Sequence, residues 1–280
     1  MQNIFFRKIL HPTDFSLGDK GAYAHSLRMA LAGQSELTLV HVTPDRDEVH
    51  WSDFPHIREL LIQWQFIPEN ATREMVEATG VHIKKSLRTG KDPAKEIGNY
   101  LEAHPADLVV LSTHQRSGLS AMMQHSKSAA MARDVDAMTL FVPRQIRGFV
   151  LTETGRVQLK NILVPVAHKP SPHRAVRAAE AIASLFSVAE LRIEFLYVGE
   201  DGDAPDVHLP DHSGWVIEHS SWKGDVVDHI LNTSEAQNTD LIVMATEGHH
   251  GFLDALRGST TEQVVKQAKC PVLAVPAYND

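Results

Sequence analysis

A single cysteine, Cys270, leaves the 280-residue chain unable to form an internal disulfide, which fits a reducing cytoplasm. Long apolar runs are missing too. The best, 107–112 and 240–245, are about six residues long, whereas a membrane span needs about 20, so no membrane partner is expected. Residues 1–8 are amphipathic and lack the apolar core of a signal peptide. Basic residues are in deficit, 27 against 35 acidic, for a net charge of −8. That balance argues against nucleic acid as a partner. No Gly-x4-Gly-Lys-Ser/Thr loop occurs, so P-loop hydrolysis is disfavoured. No Gly-x-Gly-x-x-Gly follows the first apolar run, which disfavours a dinucleotide cofactor. What remains is an ordinary globular composition, 43% hydrophobic and 22% charged, long enough for two domains.

The chain repeats itself. Lys8-Ile9-Leu10-His11-Pro12-Thr13 resembles Asn161-Ile162-Leu163-Val164-Pro165-Val166, 153 positions later. Asp107-Leu108-Val109-Val110-Leu111 matches Asp240-Leu241-Ile242-Val243-Met244 at an offset of 133. The same 133 pairs Asp92 with Asp225, Ile97 with Ile230, and 139–143 with 272–276. One unit is written twice, the second copy shorter by about 20 residues.

Short Val-, Ile- and Leu-rich runs predict strands at 7–13, 36–42, 81–87, 107–112 and 138–142, buried on both faces. Helices are expected at 17–32, 56–79, 92–104 and 126–133, the first capped by Ser16 and stopped by Gly33. The second copy repeats the strands at 160–166, 190–198, 214–220, 240–245 and 271–275. Its helices fall at 172–186, 225–237 and 259–268. In place of the first copy's second helix stands 199–213, a loop by composition. The expected fold is α/β: two tandem Rossmann-like, open, parallel, five-stranded sheets flanked by helices. The boundaries are 1–143, a linker at 144–158, and 159–280. The apolar final strands, 135–143 and 271–276, are expected to pair antiparallel, giving an internal pseudo-dimer with the linker crossing behind.

In open parallel sheets ligands sit beyond the carboxyl ends of the strands, often on a glycine-rich turn that opens a helix. After the fourth strand of the second copy the chain reads Met244-Ala245-Thr246-Glu247-Gly248, then nine residues, then Gly258-Ser259-Thr260. Glycines let backbone N–H groups approach phosphate oxygens, and Ser259 and Thr260 open a helix whose dipole favours an anion. As ordinary turn glycines and a plain N-cap the same residues would carry no ligand. The segment resembles the Gly-x2-Gly-x9-Gly-Ser/Thr loop of the universal stress protein family, with Ala245 at the first glycine. The resemblance extends over both halves and includes the closing Cys-Pro-Val-Leu-x-Val, so the chain looks like a tandem member. It implies the ATP-binding fold of that family, close to the adenine nucleotide alpha hydrolases. It also implies adenine-nucleotide contacts at Pro165, Val166, Ala167, Val198, Met244, Ala245, Glu247, Gly248, Gly258, Ser259 and Thr260.

The first copy has Ser112, Gln115, His125 and Ser126 at the loop positions, so all three glycines are gone. Side chains there would crowd a phosphate and resist positive φ. The family's aspartate after strand one shows the reverse pattern: Asp14 is present, while the second copy has Ala167. Asp14 therefore belongs either to a vestigial site or to an Asx turn in Asp14-Phe15-Ser16. Other constellations are weaker. His208 and His212, beside Asp206 and Asp211, could gather a metal, but Pro210 lies between them and no cysteine joins them. His249 and His250 either touch phosphate or are exposed loop residues. Cys270 reads as a buried structural thiol, and Trp51, Phe54, Trp64 and Phe66 as core or as a ligand pocket.

The Ser-Gly-Gly-x-Asp loop of ATP pyrophosphatases and the His-Ile-Gly-His signature of nucleotidyl transferases are absent. No metal cofactor is expected; for a Mg²⁺ accompanying the nucleotide, Asp254 is a weak candidate ligand. The resulting expectation is a cytoplasmic stress-response protein that binds ATP or AMP in its second copy. It would act through protein partners, with homo-oligomers of the tandem chain as one form of association. A slow ATPase, a ligand-free scaffold and a metabolite binder using the aromatic region stay open.

Overall fold

The computed structural model describes residues 6–45, 49–113, 137–144, 146, 148–247 and 260–277. The first half supplies β1 (Lys8–Pro12), α1 (Lys20–Gly33), β2 (Glu36–Thr43), α2 (Ile57–Gln63), α3 (Arg73–Glu77), β3 (His82–Thr89), α4 (Pro93–Ala103), β4 (Leu108–Thr113) and β5 (Met138–Pro143). The second supplies β6 (Asn161–Val166), α5 (His173–Leu185), β7 (Leu191–Val198), β8 (Trp215–Trp222), α6 (Val226–Ala236), β9 (Leu241–Glu247), α7 (Thr260–Gln267) and β10 (Val272–Ala277). Both expected five-stranded sheets form, and they join into one sheet in the order β3-β2-β1-β4-β5-β10-β9-β6-β7-β8. Every pairing is parallel except that of β5 with β10 at the centre.

That junction has the expected antiparallel sense. Leu140 faces Leu273, its own repeat equivalent, while Phe141 faces Val272 and Thr139 faces Ala274. Equivalent residues meeting across an antiparallel pair define a local two-fold axis, so the contact is isologous within one chain. Two apolar layers cover the sheet and both run through the junction. One holds Leu27 and Met29 of α1 with Ala179 and Ile182 of α5. The other holds Ile97 and Leu101 of α4 with Ile230 of α6 and Val264 of α7.

The repeated aspartates now have physical roles. Asp92 and Asp225 are N-caps, accepting from the N–H groups of Lys95 at 3.1 Å and Asp228 at 2.9 Å. Asp107 accepts from the N–H groups of Arg7 and Lys8, and Asp240 from those of Lys160 and Asn161, so each ties the start of β1 or β6 to the start of β4 or β9.

Three local expectations need correction. The helix expected at 56–79 is two short helices, α2 and α3, because Gln65 turns to φ +61° and Pro68 cannot continue the ladder. Ser16 precedes a short 3₁₀ turn, Leu17–Asp19, without a side-chain cap. At the end of α1 the left-handed residue is Gln34, φ 48°, one beyond Gly33. The helix expected at 126–133 lies outside the described residues. Residues 199–213 form a loop without helix or strand. The segment between the halves is structured: Val150 and Val157 bridge antiparallel, and Phe149 is fully buried against His25 and Phe186.

Candidate functional site

Each half contains a split in its sheet. β1 pairs with β4 only through Ile9–Leu108 and Leu10–Val109, although β1 pairs with β2 over its whole length. Likewise β6 meets β9 only through Ile162–Leu241 and Leu163–Ile242. Beyond those pairs the strands diverge towards their carboxyl ends. This is the topological switch point of an open α/β sheet, the place where such folds bind ligands.

The two splits are lined oppositely. In the first half the chain fills its own crevice. Arg144, just after β5, places Nη2 2.6 Å from Asp14 Oδ2 and donates to Ser112 Oγ at 3.2 Å. Asp14 also accepts from Ser16 N–H at 2.9 Å, so the Asx turn forms. Burial alone would raise the Asp14 pKa, but the Ser16 hydroxyl and Arg144 outweigh it and lower it. Beside it, Phe15 adopts φ 60° and stacks on His41 with ring centres 3.9 Å apart. The counterparts of Asp14, Ser112 and Arg144 in the second half are Ala167, Ala245 and Ala277. Three alanines replace an aspartate, a serine and an arginine around the same crevice.

The other described second-half residues singled out from the sequence lie at or near element ends. Pro165 and Val166 end β6, Val198 ends β7, Met244 and Glu247 lie towards the end of β9, and Thr260 begins α7. Met244 is buried, and Glu247 is exposed. Gly248, Gly258 and Ser259 in the second copy, and Gln115, His125 and Ser126 in the first, lie outside the described residues, as do His249, His250 and Asp254. One neighbour escaped sequence reasoning. The 199–213 loop brings Asp203 back beside the β6 and β7 ends, where it accepts from Tyr197 OH at 3.1 Å and its backbone carbonyl meets His168 Nε2 at 2.6 Å.

A second group missed in the sequence is buried in the first half. His11 is fully buried and donates from Nδ1 to the Val110 carbonyl, 2.9 Å away, a group that lost its strand partner where β1 and β4 part. Its Nε2 lies 3.2 Å from Asp19 Oδ2. Burial alone would lower the His11 pKa, but the Asp19 charge together with the hydrogen bonds to Asp19 and the Val110 carbonyl outweighs it and raises the pKa above 6.5. Burial likewise opposes ionisation of Asp19, yet the His11 charge together with hydrogen bonds from His11, Thr13 and Ser112 holds its pKa down at about 2. The signal available in the sequence was the repeat itself, since His11 and Asp19 align with Val164 and Pro172.

The remaining constellations separate. His208 pairs with Asp206 at 2.6 Å, whereas His212 pairs with Glu180 at 3.0 Å and stacks on Trp215. Among the described residues no group of three His, Cys, Asp or Glu side chains could hold a metal. Cys270 is buried, and burial pushes its thiol up to about 12. Of the four aromatics, Phe54 and Trp64 are buried while Trp51 and Phe66 are 57% and 42% exposed.

A duplicated α/β unit with a split at each switch point defines a class of tandem open-sheet α/β domains. Within that class, the universal stress protein family model matches residues 5–143 and 212–276, more than half of the chain, and the chain belongs to this family. Residues 165–198, the strand ends proposed for the purine, fall outside that match. Over 67 residues, 24% of its length, the chain is 43% identical to universal stress protein MJ0531 of Methanocaldococcus jannaschii; the aligned stretch spans 39% of that relative. The fold resembles a universal stress protein from Archaeoglobus fulgidus over 99% of this chain and 100% of that one, with TM-score 0.62 and 17% identity. A second similar structure, a putative universal stress protein from Pseudomonas aeruginosa, is 16% identical with TM-score 0.55, covering 97% of this chain and 94% of that one. Among the described residues no helix is long and apolar enough to cross a membrane.

Proposed function

We propose that the second half binds one adenine nucleotide, ATP or AMP, and that occupancy tunes the protein's association with partners in a cytoplasmic stress response. The observation that carries this reading is the contrast between the crevices. The first is filled by Arg144, Asp14, Ser112 and Phe15; the second is lined by Ala167, Ala245 and Ala277. In this reading Pro165, Val166, Ala167 and Val198 take the purine side. Met244, Ala245 and Glu247 form the floor and wall, and Gly248, Gly258, Ser259 and Thr260 take the phosphates, with any Mg²⁺ entering on the nucleotide. A P-loop lysine is missing from the sequence, which favours binding over turnover.

Calorimetric titration of the full chain with ATP should give one site per chain. Gly258→Val should remove it, because a β-branched side chain resists positive φ and stands where phosphate would lie. His125→Ala should leave affinity unchanged. Two equal sites, or normal binding by Gly258→Val, would overturn the assignment. Steady phosphate release from the wild-type chain would replace the binder with a slow ATPase.

A further inference from the structure

The sheet ends on β3 and β8, whose outer edges have no strand partner among the described residues. The repeat makes the two edges equivalent. Ser86 and Gly90 align with Ser220 and Gly224, so His82, Lys84, Lys85 and Arg88 correspond to Val216, Glu218, His219 and Trp222. Charged side chains, lysine above all, guard an exposed edge against pairing with another chain. β3 keeps that guard, and β8 lacks it. The one carboxylate on β8, Glu218, is taken up by Arg192 at 2.7 Å. Val216 and Trp222 stand on the same face of the strand, 55% and 52% exposed. One side of the Trp222 ring rests on His229, with ring centres 5.7 Å apart.

The backbone of β8 fixes how a neighbour could add. Gly199 N–H donates to the Trp222 carbonyl at 2.8 Å, and Leu191 N–H to the Gly214 carbonyl at 3.3 Å. Even-numbered residues therefore turn their backbone groups to β7, and Ile217, His219 and Ser221 turn theirs outward. A two-fold axis normal to the sheet gives an antiparallel neighbour and keeps each face on its own side. With the axis at His219, Val216 of one copy lies opposite Trp222 of the other, twice, and Glu218 opposite Ser220. These are the non-hydrogen-bonded pairs, in which side chains stand closest. The outward backbone groups of Ile217, His219 and Ser221 meet their counterparts in the alternate pairs. An axis at Glu218 would set two carboxylates opposite each other, and an axis at Ser220 would set Glu218 opposite Trp222. Neither joins the two exposed apolar side chains.

We propose that the β8 edge is a self-association surface: a second copy of this chain pairs with it antiparallel about an axis at His219, forming a closed dimer. Closure follows because the guarded β3 edge, at the far end of the sheet, does not propagate the pairing. A contact about seven residues long, about 24 Å, belongs to the small class of interfaces, under about 1,200 Å² in total. The dimer is accordingly reversible, with a Kd of about 10–100 µM. It is independent of the nucleotide reading, since none of the crevice residues lies on β8.

Sedimentation velocity of the full chain over about 1–300 µM brackets that constant and should show monomer passing into dimer. Val216→His with Trp222→Arg copies the β3 residues onto exposed positions of β8. It should weaken dimerisation about tenfold or more, with an unchanged far-UV circular dichroism spectrum. Cysteine crosslinking reads the axis independently of that variant. His219→Cys should give an interchain disulfide on mild oxidation, whereas Lys85→Cys, its equivalent on β3, should not; the native Cys270 is buried. A chain that stays monomeric throughout, a dimer indifferent to the double variant, or crosslinking by Lys85→Cys as efficient as by His219→Cys would each overturn the proposal. Oligomers growing beyond the dimer would overturn it as well, because they require β8 to pair with β3 of another copy.

Discussion

At the residue scale the two halves differ by a few side chains that decide which crevice is open. The Arg144–Asp14 pair is half-exposed on the aspartate side, so its worth to stability is about 0–1 kcal/mol, small beside what it does to the available space. The second half can be given the same pair in two steps. Ala167→Asp alone should tighten ATP binding by roughly three- to tenfold, restoring one hydrogen bond worth about 0.5–1.5 kcal/mol. Adding Ala277→Arg should reverse the gain and weaken binding below wild type by about tenfold, because the new guanidinium can pair with the introduced carboxylate as Arg144 pairs with Asp14. Titration of wild type, single and double variants gives the order; a double variant that binds as tightly as the single would show that Arg144 does not close its crevice. His25 governs a pH response. It is fully buried, donates from Nδ1 to the Gly21 carbonyl at 2.7 Å and accepts from Val150 N–H at 3.2 Å, and burial pushes its pKa from 6.5 down to about 4. The depressed pKa means that the unfolded chain takes up a proton before the folded one. The contribution is therefore whole above pH 6.5 and is lost progressively as pH falls towards 4, by about 2–3 kcal/mol. Urea denaturation across that window should show the loss, and His25→Leu should be less stable at neutral pH but flatter in its pH response. The raised pKa of His11 acts in the opposite direction, its stabilisation being lost as pH rises through the folded value.

At the element scale the 149–158 segment is more than a tether. Gly155 sits at φ +65° against the face of Trp64, its carbonyl accepts from Arg28 Nε at 3.1 Å, and Trp64 Nε1 donates to the Thr152 carbonyl at 2.9 Å. A Cβ on Gly155 would lie 2.4 Å from the Trp64 ring. Gly155→Ala should therefore cost about 2–4 kcal/mol and shift the Trp64 fluorescence. Gly202→Ala has a similar φ of +78° but nothing within 4 Å, so it should cost only about 1 kcal/mol. Comparing their urea midpoints separates packing from backbone strain; equal costs would refute the packing argument. The strands were legible in the sequence because they are buried on both faces and read as continuous apolar runs. The repeated aspartates were visible as a pattern, although their cap and staple roles needed coordinates. The break between α2 and α3 was legible in principle at Pro68, but the surrounding Leu, Ile, Trp and Phe residues kept a helical spacing that masked it. The fillers of the first crevice were not legible: Arg144 reaches Asp14 across 130 residues, and His11 reaches Val110 across 99. In the sequence the first crevice was marked as different by the loss of its glycines and by Asp14 where the second copy has Ala167.

At the scale of the whole molecule two homologous halves join in a single ten-stranded sheet. The β5–β10 ladder is only three residue pairs long, but both apolar layers run across it, and α1 packs directly on α5. Linkage by the short 149–158 segment also raises the effective concentration of one half for the other, to about the millimolar range. A body held this way should unfold in one step, and the chain carries the probes to test it. Trp51 and Trp64 report the first half, Trp215 and Trp222 the second. Replacing either pair by Phe leaves fluorescence from one half alone, and the two proteins should share a urea midpoint and slope once corrected for the effect of the substitutions at neutral pH. Leu273→Asp should break the arrangement at its axis. It buries a carboxylate opposite Leu140, on the face away from Thr139, the donor side chain of the two strands, a cost of about 3 kcal/mol or more. The two reporters should then separate into two transitions, with the second half unfolding first because the substitution lies in one of its own buried strands, β10. Coincident transitions in Leu273→Asp at a lower midpoint would mean that the covalent segment and the helix layer suffice for coupling. Separate transitions in the wild-type pair would mean that the halves fold independently, and that nucleotide in one crevice has no mechanical route to the other.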